Sequence, residues 1–166
     1  MAGLAARPAR ILIAALSGVL AVLVGMGVWI AAQAREEQGR AGDKQAALLA
    51  AGTHAKNLIS LDYKTVDADI RRILDTSTGP ARTEYEANAA KLKSTTVENK
   101  VVQHGVLRAT GLASMAGATA KVLVVADVEI RWDGSKSPPQ ERYYRWSMEL
   151  TKVGGAWLVS KAVQVA

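Results

Sequence analysis

The sequence predicts an α+β domain carried behind one apolar N-terminal helix. Three observations carry the prediction. Residues 11–32 contain no charged side chain. The stretch from residue 43 to about 100 repeats apolar residues at helical spacing. From Val101 onward the period shortens to two. Helices first and strands last favour helices packed on one face of a bent antiparallel sheet of about four strands. A parallel α/β arrangement is disfavoured, because no helix-length insert separates the strands.

Each element follows in order. Residues 1–10 form a short tail with Arg7 and Arg10. The 22 residues from Ile11 to Ala32 reach roughly 33 Å at about 1.5 Å per residue, close to the hydrocarbon thickness of a bilayer. Ser17 is the only conventional polar side chain among them, whereas a soluble core helix keeps a polar face. Ala32-Gln33-Ala34 has the small-x-small pattern of a signal-peptidase site, but the apolar run exceeds the usual length of a cleaved signal. An uncleaved signal anchor is the expectation. The cationic residues flanking it are nearly balanced. A short tail usually stays inside while a long domain crosses, so the tail is placed in the cytoplasm and the domain outside the cytoplasmic membrane.

Residues 33–42, with Gly39 and Gly42, read as a polar juxtamembrane linker, and residues 43–166 as the extracytoplasmic domain. Its first helix spans Asp43 to Leu61, with Leu48, Ala51, Ala55, Leu58 and Ile59 on one face. Thr65 is the expected N-cap of a short second helix bearing Val66, Ile70, Ile73 and Leu74, with Asp67 and Asp69 near its positive end. Gly79-Pro80 stops that run, and Pro80 opens a third helix with Ala81, Tyr85, Ala89 and Leu92 along a face. Two long strands follow around the turn Met115–Ala118. In the second, Ala120, Val122, Val124, Ala126, Val128 and Ile130 alternate with Lys121, Asp127, Glu129 and Arg131 among others. The loop "DGSKSPP" leads to a strand in which Tyr144, Trp146, Met148 and Leu150 alternate with polar residues. Gly154-Gly155 then supplies the positive φ angles of a tight hairpin.

The order and spacing of "LISLDYKTVDADIRRILDTSTGPARTEY", "VENKVVQHGV" and "GGAWLVSKAVQV" behind an apolar helix resemble actinobacterial Mce-associated membrane proteins. The resemblance covers nearly the whole chain. It implies a cone-shaped fold similar to nuclear transport factor 2, and a non-enzymatic accessory role beside the transporter subunits of Mce lipid importers, with no cofactor.

Composition narrows the chemistry. The chain has no cysteine, which excludes disulfides, thiolate metal sites and a cysteine nucleophile. Its formal charge of +6 is spread among acids, and no basic run or base-stacking signature suggests nucleic acid. P-loop, dinucleotide and nucleophile-elbow spacings are absent.

Cone-shaped enzymes place a carboxylate or a His/Asp pair inside the fold, so His54, His104, Asp62, Tyr63 and Asp127 are the residues to test. The histidines lack metal-ligand spacing. Asp62 sits where aspartate commonly turns a chain, and Asp127 with Glu129 fits a solvated sheet face. Tyr63, Tyr144, Trp146 and Trp157 are candidate apolar contacts for a lipid, a sterol or a partner protein, against the alternative that the tryptophans simply fill the core. A lipid- or sterol-binding carrier is the alternative function, and a cone-fold isomerase or lyase the less favoured one.

Overall fold

The computed structural model describes the backbone of residues 6–165, and the side chains of residues 18, 20, 23–35 and 37–165. Three helices precede four strands: α1 (Ala6–Leu58), α2 (Val66–Asp75), α3 (Gly79–Glu98), β1 (Val101–Ala116), β2 (Thr119–Trp132), β3 (Gln140–Val153) and β4 (Ala156–Gln164). The chain divides into two compact units, Met1–Gly42 and Asp43–Ala166.

In the first unit, residues 33–42, expected as a linker, are helical. Ala34, Arg35, Glu37, Gln38, Arg40 and Ala41 are good helix formers. Together they outweigh Gly39 and Gly42, each of which costs about 1 kcal/mol relative to alanine. Upstream, Leu20, Leu23, Val24, Met26, Val28, Trp29 and Ile30 are all 54–65% exposed. Among the described residues no helix is long and apolar enough to cross a membrane. The expected span over residues 11–32 lies partly outside the residues whose side chains are described.

The second unit is a meander with strand order β1-β2-β3-β4, antiparallel throughout. The alternation in β2 is realised in full: Ala120, Val122, Val124, Ala126, Val128 and Ile130 face the core. Register places Val124 opposite Trp146, Val122 opposite Met148, and Leu150 opposite Val159, so all four strands turn one apolar face inward. Ala47, Ala51 and Ala55 of α1 pack into that core at 0% exposure. Their small side chains bring the helix backbone close to its neighbours.

The closest approach in this layer is at Gly105 of β1. A Cβ there would lie 2.0 Å from Ile59 Cγ1, so the missing side chain is the space that Ile59 fills. Gly154 and Gly155 adopt φ of 58° and 87°, as the hairpin requires.

Two local expectations change. The α-helical part of α1 ends at Leu58 rather than Leu61, because Leu61 and Tyr63 turn to bond β1: Gln103 N–H donates to Leu61 and Tyr63 N–H to Val101. Thr65 precedes α2 without a side-chain cap, since its hydroxyl donates instead to the buried carboxylate of Asp69. At the junction of helices and sheet, Lys100 holds φ of 48°, and its carbonyl accepts the N–H of Asp133.

Candidate interaction site

A groove of about 530 Å³ opens between the first turns of α3 and the β3–β4 edge of the sheet. Pro80 at the start of α3 directs the helix past β4, and Ala81, buried at the next position, is small enough to admit the approach. Tyr85, one turn on, and Leu58 complete that side, while Trp146, Ala162 and Gln164 line the other. Trp146 is 9% exposed and stacks on Tyr144, with ring centroids 4.9 Å apart and planes 4° from parallel. Two residues apart on one strand, these rings share a face: Trp146 belongs to the core and shows the groove an edge, with Tyr144 stacked beside it outside the lining.

Behind Tyr85 lies His54, at 0% exposure. Its Nδ1 is 2.8 Å from Thr76 Oγ1 and its Nε2 is 3.3 Å from the Tyr85 hydroxyl. Burial pushes the imidazole down to about 4, and pushes the Tyr85 phenol up to about 12. Both groups are therefore neutral at pH 7. Thr76 in turn donates to the carbonyls of Arg72 and Ile73, and Asn57 donates to Arg72 and Thr76. The network ties α1 to the end of α2 and to α3, with both imidazole nitrogens engaged.

The other expected residues lie elsewhere. Tyr63 is half-buried beside the start of β1, where its hydroxyl donates to Asp133 and Lys64 lies 5.3 Å above its ring. Accepting that hydrogen bond holds the Asp133 carboxyl below its usual range, and the same bond raises the Tyr63 phenol. Trp157 is a core residue at 5% exposure. Lys152 Nζ lies 5.9 Å from its ring and pairs with Asp43 at 2.6 Å. That ion pair, helped by the nearby indole N–H, lowers the Asp43 carboxyl; the indole N–H itself makes no hydrogen bond of ordinary geometry.

Asp62 turns the chain: its carboxylate accepts the N–H of Lys64 at 2.8 Å. His104 is exposed on the opposite face of the sheet, across from Glu129. On that face Asp127 pairs with Arg108 at 2.6 Å, and Glu129 with Arg131 at 2.5 Å. Tyr144 and Trp146 are thus brought together, while Tyr63 and Trp157 stand apart from the groove. Among the described residues no cluster of His, Asp or Glu is placed to hold a metal.

Two residues of consequence are not evident from the sequence as site residues. Tyr85 is visible there only as one of a helical row, and its partner His54 is 31 positions away. Asp69 looks like a dipole-stabilising acid near a helix start. It is instead buried, accepting from the Asp62 N–H, the Thr65 hydroxyl and Arg72.

Helices against one face of a four-stranded meander give the second unit a fold similar to that of solved VirB8-type domains. A periplasmic fragment of TraM matches with a TM-score of 0.58 at 11% identity, covering 73% of this chain and 96% of that one. CagV from Helicobacter pylori strain 26695, a VirB8 homolog of a type IV secretion system, matches at 0.59 and 7% identity, covering 73% and 97%. At such identities the likeness is one of fold. By sequence, residues 4–166 match the model of the family described as uncharacterized protein Rv1363c/MT1408-like, and the chain belongs to that family. Rv1363c of Mycobacterium tuberculosis (strain ATCC 25618 / H37Rv) is 34% identical over 142 residues, 84% of this chain. The family is thus actinobacterial, and the chain spans about half the length of that curated relative, 52%.

Proposed function

We propose that the protein is a non-enzymatic accessory subunit of an Mce-type lipid import system. In this reading residues 11–32 anchor it in the cytoplasmic membrane, and the domain from Asp43 onward holds partner subunits on the outer side. The observation that carries the interaction role is the groove beside Trp146: an open, aromatic-edged surface whose buried polar neighbour, His54, already has both nitrogens engaged. Such a surface contributes apolar contact area, and Glu84 and Lys161 at its margin add one charge of each sign for orienting a partner.

Two further lines support the reading. The exposed apolar side chains from Leu20 to Ile30 suit lipid contact, since burial of this area in a bilayer is favourable. The order of sequence motifs resembles Mce-associated membrane proteins. Anchoring then raises the domain's effective concentration toward other membrane subunits.

The test is photo-crosslinking in native membranes from a reactive amino acid at Tyr144, with identification of the attached proteins. Recovery of Mce transporter subunits is expected. Recovery of none, from protein that resists alkaline carbonate extraction, overturns the accessory role. Release of the intact protein by carbonate overturns the anchor. A second reading, a carrier of a fatty acid or sterol, is favoured by the groove's volume. Uptake of radiolabelled oleate or cholesterol by the delipidated protein, lost in Trp146→Glu, distinguishes it.

A further inference from the structure

The two outer strands of the sheet are finished differently. β1 meets Leu61–Tyr63 at its start, then carries two irregularities, between Leu107 and Ala109 and between Leu112 and Ser114. Bulges of this kind disrupt the straight row of donors and acceptors that a further strand would need. Along its outer edge β4 makes backbone hydrogen bonds, among the described residues, only at Val159, which accepts from Thr78 N–H and donates to Thr76, while the start of α3 flanks it across the groove.

Past the irregularity near Ser160, the register from Lys161 to Gln164 is regular. Val165 N–H donates to Arg145 on β3, so by alternation Val163 also faces β3, while the backbone groups of Ala162 and Gln164 point outward. No described residue bonds those outward groups.

We infer that a second copy of this chain pairs with the free edge of β4, antiparallel about a two-fold axis through Val163. The segment Lys161-Ala162-Val163-Gln164-Val165 is self-complementary under that operation. Ala162 faces Gln164 of the other copy, so the two residues exchange both backbone hydrogen bonds, and do so twice. The small Ala162 side chain borders the groove of about 530 Å³, which leaves space for the longer glutamine opposite it.

Charge permits the arrangement. Lys161 falls opposite Val165, so the two lysines stand at opposite ends of the pairing and not across from each other. On the other face of the sheet, Val163 and Val165 are 45% and 40% exposed, separated from Leu123 and Val125 by Ser147 and Arg145 of β3. Val163 meets its own counterpart at the axis, which covers part of its exposed side chain.

Because the chain has no cysteine, a single introduced thiol reports the geometry. Val163→Cys in the full-length, membrane-embedded protein is expected to give a disulfide-linked dimer as the major species on mild oxidation, since facing residues of a non-hydrogen-bonded pair lie within disulfide reach. Ser114→Cys, exposed on β1, is expected to remain monomeric. Adding Gln164→Pro to Val163→Cys removes an outward N–H that β3 does not use. It is expected to lower dimer yield about tenfold while leaving the thermal transition in place. Absence of the dimer in Val163→Cys, equal crosslinking in Ser114→Cys, or a dimer insensitive to Gln164→Pro each overturns the inference. None of these outcomes depends on which transporter subunits are recovered with the protein.

Discussion

Two stretches of α1 meet opposite fates. Between Leu20 and Ile30 the large apolar side chains are 54–65% exposed, while Ala47, Ala51 and Ala55 further along are completely buried. Large apolar residues stand where no described part of the protein covers them, and the smallest apolar residue stands where the sheet comes close. Hydrophobicity alone therefore does not tell which part of this helix belongs to a folded core. Side-chain volume and periodicity do, because a helix packed on a sheet needs one narrow face, whereas a stretch that packs on no described part of the protein needs none.

The contrast is broken most strongly by removing core volume. Met148 is completely buried, and Met148→Ala is expected to lower domain stability by about 2–5 kcal/mol in denaturant unfolding. Leu23→Ala, in the exposed stretch, is expected to stay within about 0.5 kcal/mol.

The next effect is one of pH. The unfolded chain's His54 protonates near 6.5, but the folded one only near 4. Between these values the unfolded state binds more protons, so stability is complete above about 6.5 and falls as the pH drops toward 4. The total loss is about 3 kcal/mol. His54→Gln is expected to flatten that slope in urea titrations across the interval.

The smallest of the three is Gly105→Ala. The added methyl collides with Ile59, and a cost of about 1–3 kcal/mol is expected from overpacking. Pairing it with Ile59→Ala, which removes both Cγ1 and Cδ1, is expected to cost less in a thermal melt than the sum of the two single changes.

Much of the sheet was legible in the sequence. β2 buries one face completely, which forces strict alternation from Ala120 to Ile130, and Gly154-Gly155 marks the β3–β4 turn by backbone chemistry alone. β1 was harder to read. Each irregularity shifts the inward positions by one, from Gly105 to Thr110 and Leu112 and then to Met115, so the apolar pattern loses its period. Residues 33–42 misled because two glycines were weighed as breaks against a run of strong helix formers.

At the site, Tyr144 and Trp146 were visible as same-face aromatics. The His54–Tyr85 contact joins α1 to α3 and leaves no local signature. Trp157 carries the same chemistry as Trp146 and is buried in the same core, and only the tertiary arrangement gives Trp146 an edge on the groove.

Lys100 gives the passage from the helical half to the sheet half a particular economy. A side chain in the left-handed region costs about 1–2 kcal/mol. Glycine would avoid that cost but surrender about 0.5–1 kcal/mol through the greater freedom of its unfolded chain. Lysine is thus a near-equal occupant of a corner usually given to glycine, and the Asp133 amide across the sheet's end latches the bend. The corner before β1 is thereby held by the residue that follows β2, so the two ends of that strand pair are fastened together where the helices give way to the sheet.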